Sequence, residues 1–177
     1  GGMTTVLDYR REASADLLPS LLFDQDGQIQ VDAARSIVRM RQVLSPAIAA
    51  DAAVNGGAAT ADRLDALVDD MTAAVAPVDL QRLAFEFWEE LVDGSGNIAY
   101  RLAFNSLRKT YEPLWELLTQ MLDRDLRKLD SFRGLAMLVR EGKADEAAEL
   151  ARDYIDGSSN AINQFLDLYE QHTQNHL

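Results

Sequence analysis

The chain has 177 residues, 47% of them hydrophobic and 26% charged, enough for one domain with a sizeable core. Its 17 basic residues against 29 acidic ones leave a net charge of −12, which disfavours binding to phosphate backbones and to anionic membrane surfaces. Cysteine is absent, which removes thiol nucleophiles, disulfides and thiolate metal sites and fits a cytoplasmic protein. No apolar run approaches the roughly 18 residues of a membrane span, and no signal peptide is visible.

Strand signals are weak throughout, and helical periodicity predicts helices over 13–22, 31–54, 61–75, 79–91, 97–120, 123–140 and 144–169. Gly1-Gly2 ahead of Met3 reads as an expression scar, so residues 1–5 are assigned to a scar or linker remnant, 6–170 to the folded domain and 171–177 to a polar tail. The breaks fall at Asp26-Gly27, Asn55-Gly56-Gly57, Ala76-Pro77, Gly94-Ser95-Gly96 and Glu141-Gly142. Pro46 and Pro113 lie inside predicted helices and are expected to kink or break them. Gly157-Ser158-Ser159 is expected to bend the last one. The expected fold is all-α, an antiparallel bundle of six to seven helices.

The helix from Val31 puts Ile37, Met40, Leu44, Ala47 and Ile48 on one face and Arg35 and Arg39 opposite. Arg41 falls at the edge of the apolar face. A cation there costs free energy unless it meets an acid or a ligand anion, or snorkels to solvent. The small side chains from Ala47 to Ala53 would let a neighbouring helix approach closely. The helix from Asp79 turns Leu80, Ala84, Phe87, Trp88 and Leu91 inward and leaves Glu89 and Glu90 on a solvated face.

The segment Phe85 to Tyr111, FEFWEELVDGSGNIAYRLAFNSLRKTY, reads as helix, tight turn, helix. The second helix carries two stripes at the same period. Tyr100, Phe104, Leu107, Tyr111, Trp115 and Leu118 form the core stripe. Arg101, Asn105, Arg108 and Glu112 form a polar one, read either as ligand donors or as a solvated charged face. Phe132, Leu135, Ala136 and Val139 point inward from the next helix. In the last, Tyr154 and Ser158 place hydroxyls on an apolar stripe that includes Ala147, Ala151, Ile155, Ile162, Phe165 and Tyr169. A buried hydroxyl needs a partner, either a backbone carbonyl one turn back or a ligand.

Catalytic patterns are missing. His172 and His176 have the i,i+4 spacing of a metal pair but lie in the polar tail, where fraying is the simpler reading. No Ser/His/Asp arrangement, Walker loop or dinucleotide fingerprint occurs, so no enzymatic activity is expected.

In order and spacing, Gly94-Ser95-Gly96-Asn97 followed by Tyr100, Leu102, Asn105 and Arg108, then Arg140-Glu141-Gly142 followed by Ala147, Arg152 and Tyr154, resemble the C-terminal effector-binding domain of FadR-type regulators in the GntR superfamily. The resemblance runs from Val6-Leu7-Asp8 to about Tyr169. It implies a dimeric helical bundle with an internal ligand cavity, fused behind a winged helix-turn-helix domain absent from this chain. It also implies cytoplasmic transcription regulation, with DNA contacted only through that missing domain. Many such relatives hold a divalent metal through an Asp, a His four residues on, and a His from each of the last two helices. The matching positions here are Ala84, Trp88, Phe132 and Tyr154, and neither methyl, indole nor phenyl ligates such a metal. No metal and no cofactor is therefore expected.

The apolar replacements suggest a cavity for an acyl chain, similar to the branch of the family that binds long-chain fatty acyl-CoA without metal. Ser158 stands where that branch also has serine, but Ile162 stands where it has tryptophan. The expected ligand-binding residues are Arg41, Trp88, Arg101, Asn105, Arg108, Phe132, Tyr154 and Ser158. The favoured effector is a fatty acyl-CoA or fatty acid. Two other readings stand beside it: a sensor of another small organic acid held by Arg41 or Arg101, and a ligand-free dimerisation domain whose rings fill the space themselves.

Overall fold

The computed structural model describes residues 17–175, which form seven helices, two further short helical turns and no strand beyond an isolated bridge. A turn at Leu18–Leu21 leads into a tight hairpin in which Phe23 and Ile29 pair as that bridge. Seven helices follow: α1 Val31–Asn55, α2 Gly57–Ala73, α3 Pro77–Ser95, α4 Ile98–Tyr111, α5 Trp115–Leu126, α6 Leu129–Glu141 and α7 Ala144–Gln174. The all-α bundle expected from periodicity is the fold observed. The expected helix over 13–22 lies partly outside the described residues, as do Gly1-Gly2, the Val6-Leu7-Asp8 start of the resemblance and His176.

Local chemistry explains most boundaries. Pro77 opens α3, where its missing N–H is not needed. Gly96 closes it at φ 68°, a left-handed conformation that glycine adopts without strain. Asn97 then caps α4, its Oδ1 accepting from the N–H groups of Ala99 at 2.9 Å and Tyr100 at 3.3 Å. Gly142, also at φ 68°, ends α6.

Of the three expected breaks or bends, only that at Pro113 interrupts a helix. Pro46 does not break α1, which runs unbroken over 25 residues, with Pro46 itself buried. Its packing against α7 along the bundle outweighs one lost backbone hydrogen bond. The run expected over 97–120 divides at Pro113, as anticipated, into α4 and α5 with a 3₁₀ turn at Glu112–Leu114. However, α5 continues to Leu126, because Leu118, Leu122 and Leu126 extend one apolar stripe. The break then falls at Arg127-Lys128, where neither glycine nor proline marks it. The last helix passes through Gly157-Ser158-Ser159 without interruption, and both serines are buried.

The core has two parts. The larger joins α1, α2, α3, α6 and α7 around Phe87, Leu91, Phe132, Leu135 and Ile155. The smaller joins Leu22, the first half of α1, the ends of α4 and α5, and the second half of α7 around Ile37, Val38, Leu118 and Leu166. Between them the packing is incomplete.

Candidate functional site

The gap between the two core clusters is a cavity of about 90 Å³. That is room for several waters, since one needs about 10–15 Å³. Its wall is apolar, with Leu44 and Ile48 from α1, Trp88 from α3, Leu118 from α5 and Ile162 from α7. Every helix of the bundle except α2 and α6 supplies lining residues.

Arg41, Ser45, Gln81, Tyr111 and Tyr154 interrupt this wall, and three of them have a buried atom without a hydrogen-bond partner. They are Nη1 of Arg41 on α1, Oε1 of Gln81 on α3 and the hydroxyl of Tyr111 at the end of α4. Buried polar atoms are nearly always paired, so three orphans converging on one cavity are informative. Arg41 has no acidic partner among the described residues, although a salt bridge was one reading of its position. Gln81 is fixed by its amide nitrogen, which donates to the carbonyl of Trp115 at 3.5 Å and leaves the oxygen facing the gap. The Tyr111 ring packs edge-on against Phe85, at 6.2 Å between centroids.

Electrostatics fit this arrangement. Burial raises the Tyr111 phenol above its ordinary range, while the nearby Arg41 charge pulls it down. Tyr154 is raised chiefly by burial, with the Arg41 charge opposing and the Asp125 charge adding to the rise, so both phenols stay protonated at neutral pH. The site therefore offers one fixed positive charge, the unpartnered phenol of Tyr111 with that of Tyr154 beside it, and one amide acceptor in an apolar chamber. It has no nucleophile and base in contact. It is suited to holding a molecule with an anionic head and an apolar body.

Of the eight residues singled out from sequence, the structure gathers Arg41, Trp88 and Tyr154 at this cavity. Phe132 sits one layer deeper. Its ring meets Tyr154 at 5.0 Å and Phe87 at 5.0 Å, so the rings do fill that end of the space. Ser158 is buried, and its Oγ donates to the carbonyl of Ile155 at 3.1 Å, the backbone alternative foreseen for it. Arg101, Asn105 and Arg108 lie on the other side of α4. Asn105 is exposed. Arg101 pairs with Asp93 and donates to the carbonyl of Glu89 at 3.0 Å, and Arg108 pairs with Glu89 at 2.9 Å. The polar stripe of α4 is thus an external ion-pair network, and Glu89 is part of it rather than merely solvated. Gln81 and Tyr111 were not singled out. Tyr111 carried the same signal as Tyr154, a hydroxyl on an apolar stripe, and Gln81 is one helical turn before Phe85 and two before Trp88.

The positions equivalent to a metal set cluster in space. Ala84, Trp88 and Tyr154 line the cavity and Phe132 touches Tyr154. A methyl, an indole, a phenyl and a phenol held protonated do not fit a divalent metal. Among the described residues no group of three or more His, Asp or Glu side chains is placed to hold one.

A family model described as the FCD domain matches residues 36–157. The chain belongs to the FCD domain family. The match runs from the first half of α1 to the middle of α7 and includes the three unpartnered polar residues of the cavity. The FCD domain is similar to two mycobacterial proteins, the HTH-type transcriptional regulator Mce2R of Mycobacterium tuberculosis and the uncharacterized HTH-type transcriptional regulator Mb0601 of Mycobacterium bovis. Each is 32% identical over 162 residues, which cover 92% of this chain and 67% of the relative. No solved structure matches. Family and relatives together make this a ligand-sensing regulatory domain of a transcriptional regulator. Among the described residues no helix is long and apolar enough to cross a membrane.

Proposed function

We propose that this FCD domain senses a carboxylate with an apolar body, of fatty-acid type, and binds it without metal. The observation that carries the reading is the buried, unpartnered Nη1 of Arg41 at the wall of an apolar cavity. A guanidinium so placed is costly when empty-handed and gains charge-assisted hydrogen bonds when a carboxylate arrives. The Tyr111 hydroxyl supplies a second donor to the same head group.

Between a free fatty acid and its CoA thioester, the charge distribution favours the acid. The phosphates of CoA call for several free cations near the cavity. Arg101 and Arg108 are engaged by Asp93 and Glu89 instead, and the chain carries a net charge of −12. Another small organic acid remains the second reading, supported by the modest volume of the cavity.

A ligand held by Arg41, Gln81 and Tyr111 ties α1, α3 and the end of α4 together. It would favour one arrangement of these helices over others. The regulatory output is a change in DNA binding by an N-terminal winged helix domain outside this chain, which spans two thirds of its relatives' length. A homodimer would set the spacing of two such domains, and sedimentation checks it.

Thermal unfolding tests the reading, using a saturated fatty acid, its CoA thioester, free CoA, a short dicarboxylate and EDTA in parallel. A ligand at about 100 times its Kd stabilises by about 2.7 kcal/mol, a shift of roughly five to ten degrees. The expected result is a shift with the fatty acid and none with EDTA or free CoA. A shift with the thioester but not the acid would transfer the assignment to acyl-CoA. A shift with the dicarboxylate alone would transfer it to small organic acids. Silence from all of them would favour a ligand-free dimerisation domain.

A further inference from the structure

A second cavity, of about 40 Å³, lies in the smaller core cluster. Tyr111, Leu118 and Ile162 line both spaces, so a single layer of side chains separates them. The second cavity differs in chemistry from the first. Its polar lining is confined to Thr110 and Tyr111, and the Thr110 hydroxyl is already donated to the carbonyl of Ser106 at 2.8 Å. It contains no cation and no orphan apart from the shared Tyr111. Water gains little there, since it needs several polar partners.

We infer that the second cavity is a tail subsite. The ligand's carboxylate sits at Arg41, and its unbranched alkyl chain passes between Tyr111, Leu118 and Ile162 into the space beyond. This rests on the sensor reading above and assigns it a substrate class, linear aliphatic acids selected by length. The far wall of the subsite includes Leu22 and Ile29, which flank the hairpin before α1. That hairpin is tied to α7, for the Tyr169 hydroxyl donates to Oε1 of Gln28 at 2.7 Å and accepts from the N–H of Ile29 at 3.1 Å. A chain long enough to fill the subsite therefore presses on the segment leading into α1, whereas a short one does not.

Calorimetric titration of the domain with linear saturated acids of increasing length tests this. The volume holds about three methylene-sized groups, each worth about fourfold in affinity. Affinity should climb by about 60-fold over the last three carbons that fit, then level off. Ala34→Leu fills the subsite from α1 and Met121→Phe fills it from α5, so one of the two reports even if the other misfolds. Each should lower the ratio of long-acid to butanoate affinity at least tenfold. An unchanged ratio in both variants overturns the tail subsite while leaving Arg41-dependent binding of short acids, and hence the sensor reading, intact. No binding by any acid overturns both. Affinity that depends on length but not on Arg41 overturns the anion anchor alone.

Discussion

Arg41 on α1 and Tyr111 at the end of α4 face one cavity, and each leaves a buried polar atom without a partner. Structures rarely keep two such orphans together without a use for them. Arg41→Met tests that use. Arg41 is half-buried with its Nη1 enclosed, and replacing such an unpaired charge with an apolar side chain of similar volume is often neutral or stabilising. We expect the ligand-free variant to be as stable as the parent, or more stable by up to about 2 kcal/mol. Fatty-acid affinity should fall by roughly 10- to 100-fold, the worth of a hydrogen bond to a charged group. Calorimetry and thermal unfolding of one preparation read both quantities. A destabilised variant with intact affinity would make Arg41 a structural residue.

The external arginines should behave oppositely. Arg108 is about half exposed and paired with Glu89 and Glu112. Arg108→Ala should change stability by less than about 1 kcal/mol, as exposed ion pairs do. It should leave fatty-acid affinity within about twofold, since a difference below RT marks no contact. A tenfold loss of affinity would return the polar stripe of α4 to the binding site.

Period alone turned Trp88 and Tyr154 inward and put Arg41 at the edge of an apolar face, and all three line the cavity because their helices are long and regular. The same period does not separate Arg101 and Arg108 from them, and these two pair with acids outside the cavity. A stripe beside a core face has the same spacing whether it lines a cavity or the outer surface. What decides is the neighbour, and Glu89 and Asp93 reach it from α3 across a turn. Gln81 was missed for a related reason. It lies between Leu80 and Arg82, and only the packed helices show that it is 6% exposed. The break after Leu126 left no trace in glycine or proline. The second cavity could not be read at all, since volume is a property of the assembled core.

The last turn of α3 packs closely against α2. A Cβ on Gly94 would lie 2.7 Å from Cγ2 of Thr60, a β-branched and buried side chain that cannot swing away. Gly94→Ala should therefore cost about 1–3 kcal/mol by overpacking. Asn97→Ala removes the cap of α4 and should cost about 1 kcal/mol, whereas Asn97→Asp keeps an acceptor and should cost little. Each kcal/mol lowers Tm by about 2–4 degrees in a domain of this size. A Gly94→Ala variant as stable as the parent would show that α2 and α3 yield at this contact.

Alkaline pH should expose the buried phenols. Burial holds the pKa of Tyr111 and Tyr154 above the ordinary value of about 10, against the opposing effect of Arg41. In the unfolded chain both ionise near that value, while the folded chain keeps their protons to higher pH. The folded state then binds more protons, so stability must fall as pH rises. Below about pH 9 neither group contributes any slope, because both states are protonated. Above about pH 10 each should remove about 1.4 kcal/mol per pH unit until its folded pKa is reached. Denaturant unfolding at stepped pH measures the slope, and Tyr154→Phe should reduce it by one proton. Phenolate absorbance from these two residues should rise in step with the loss of helical signal. If the parent shows a Tyr154-dependent rise while the helices remain intact, the ring is open to solvent and its packing against Phe132 does not close the cavity.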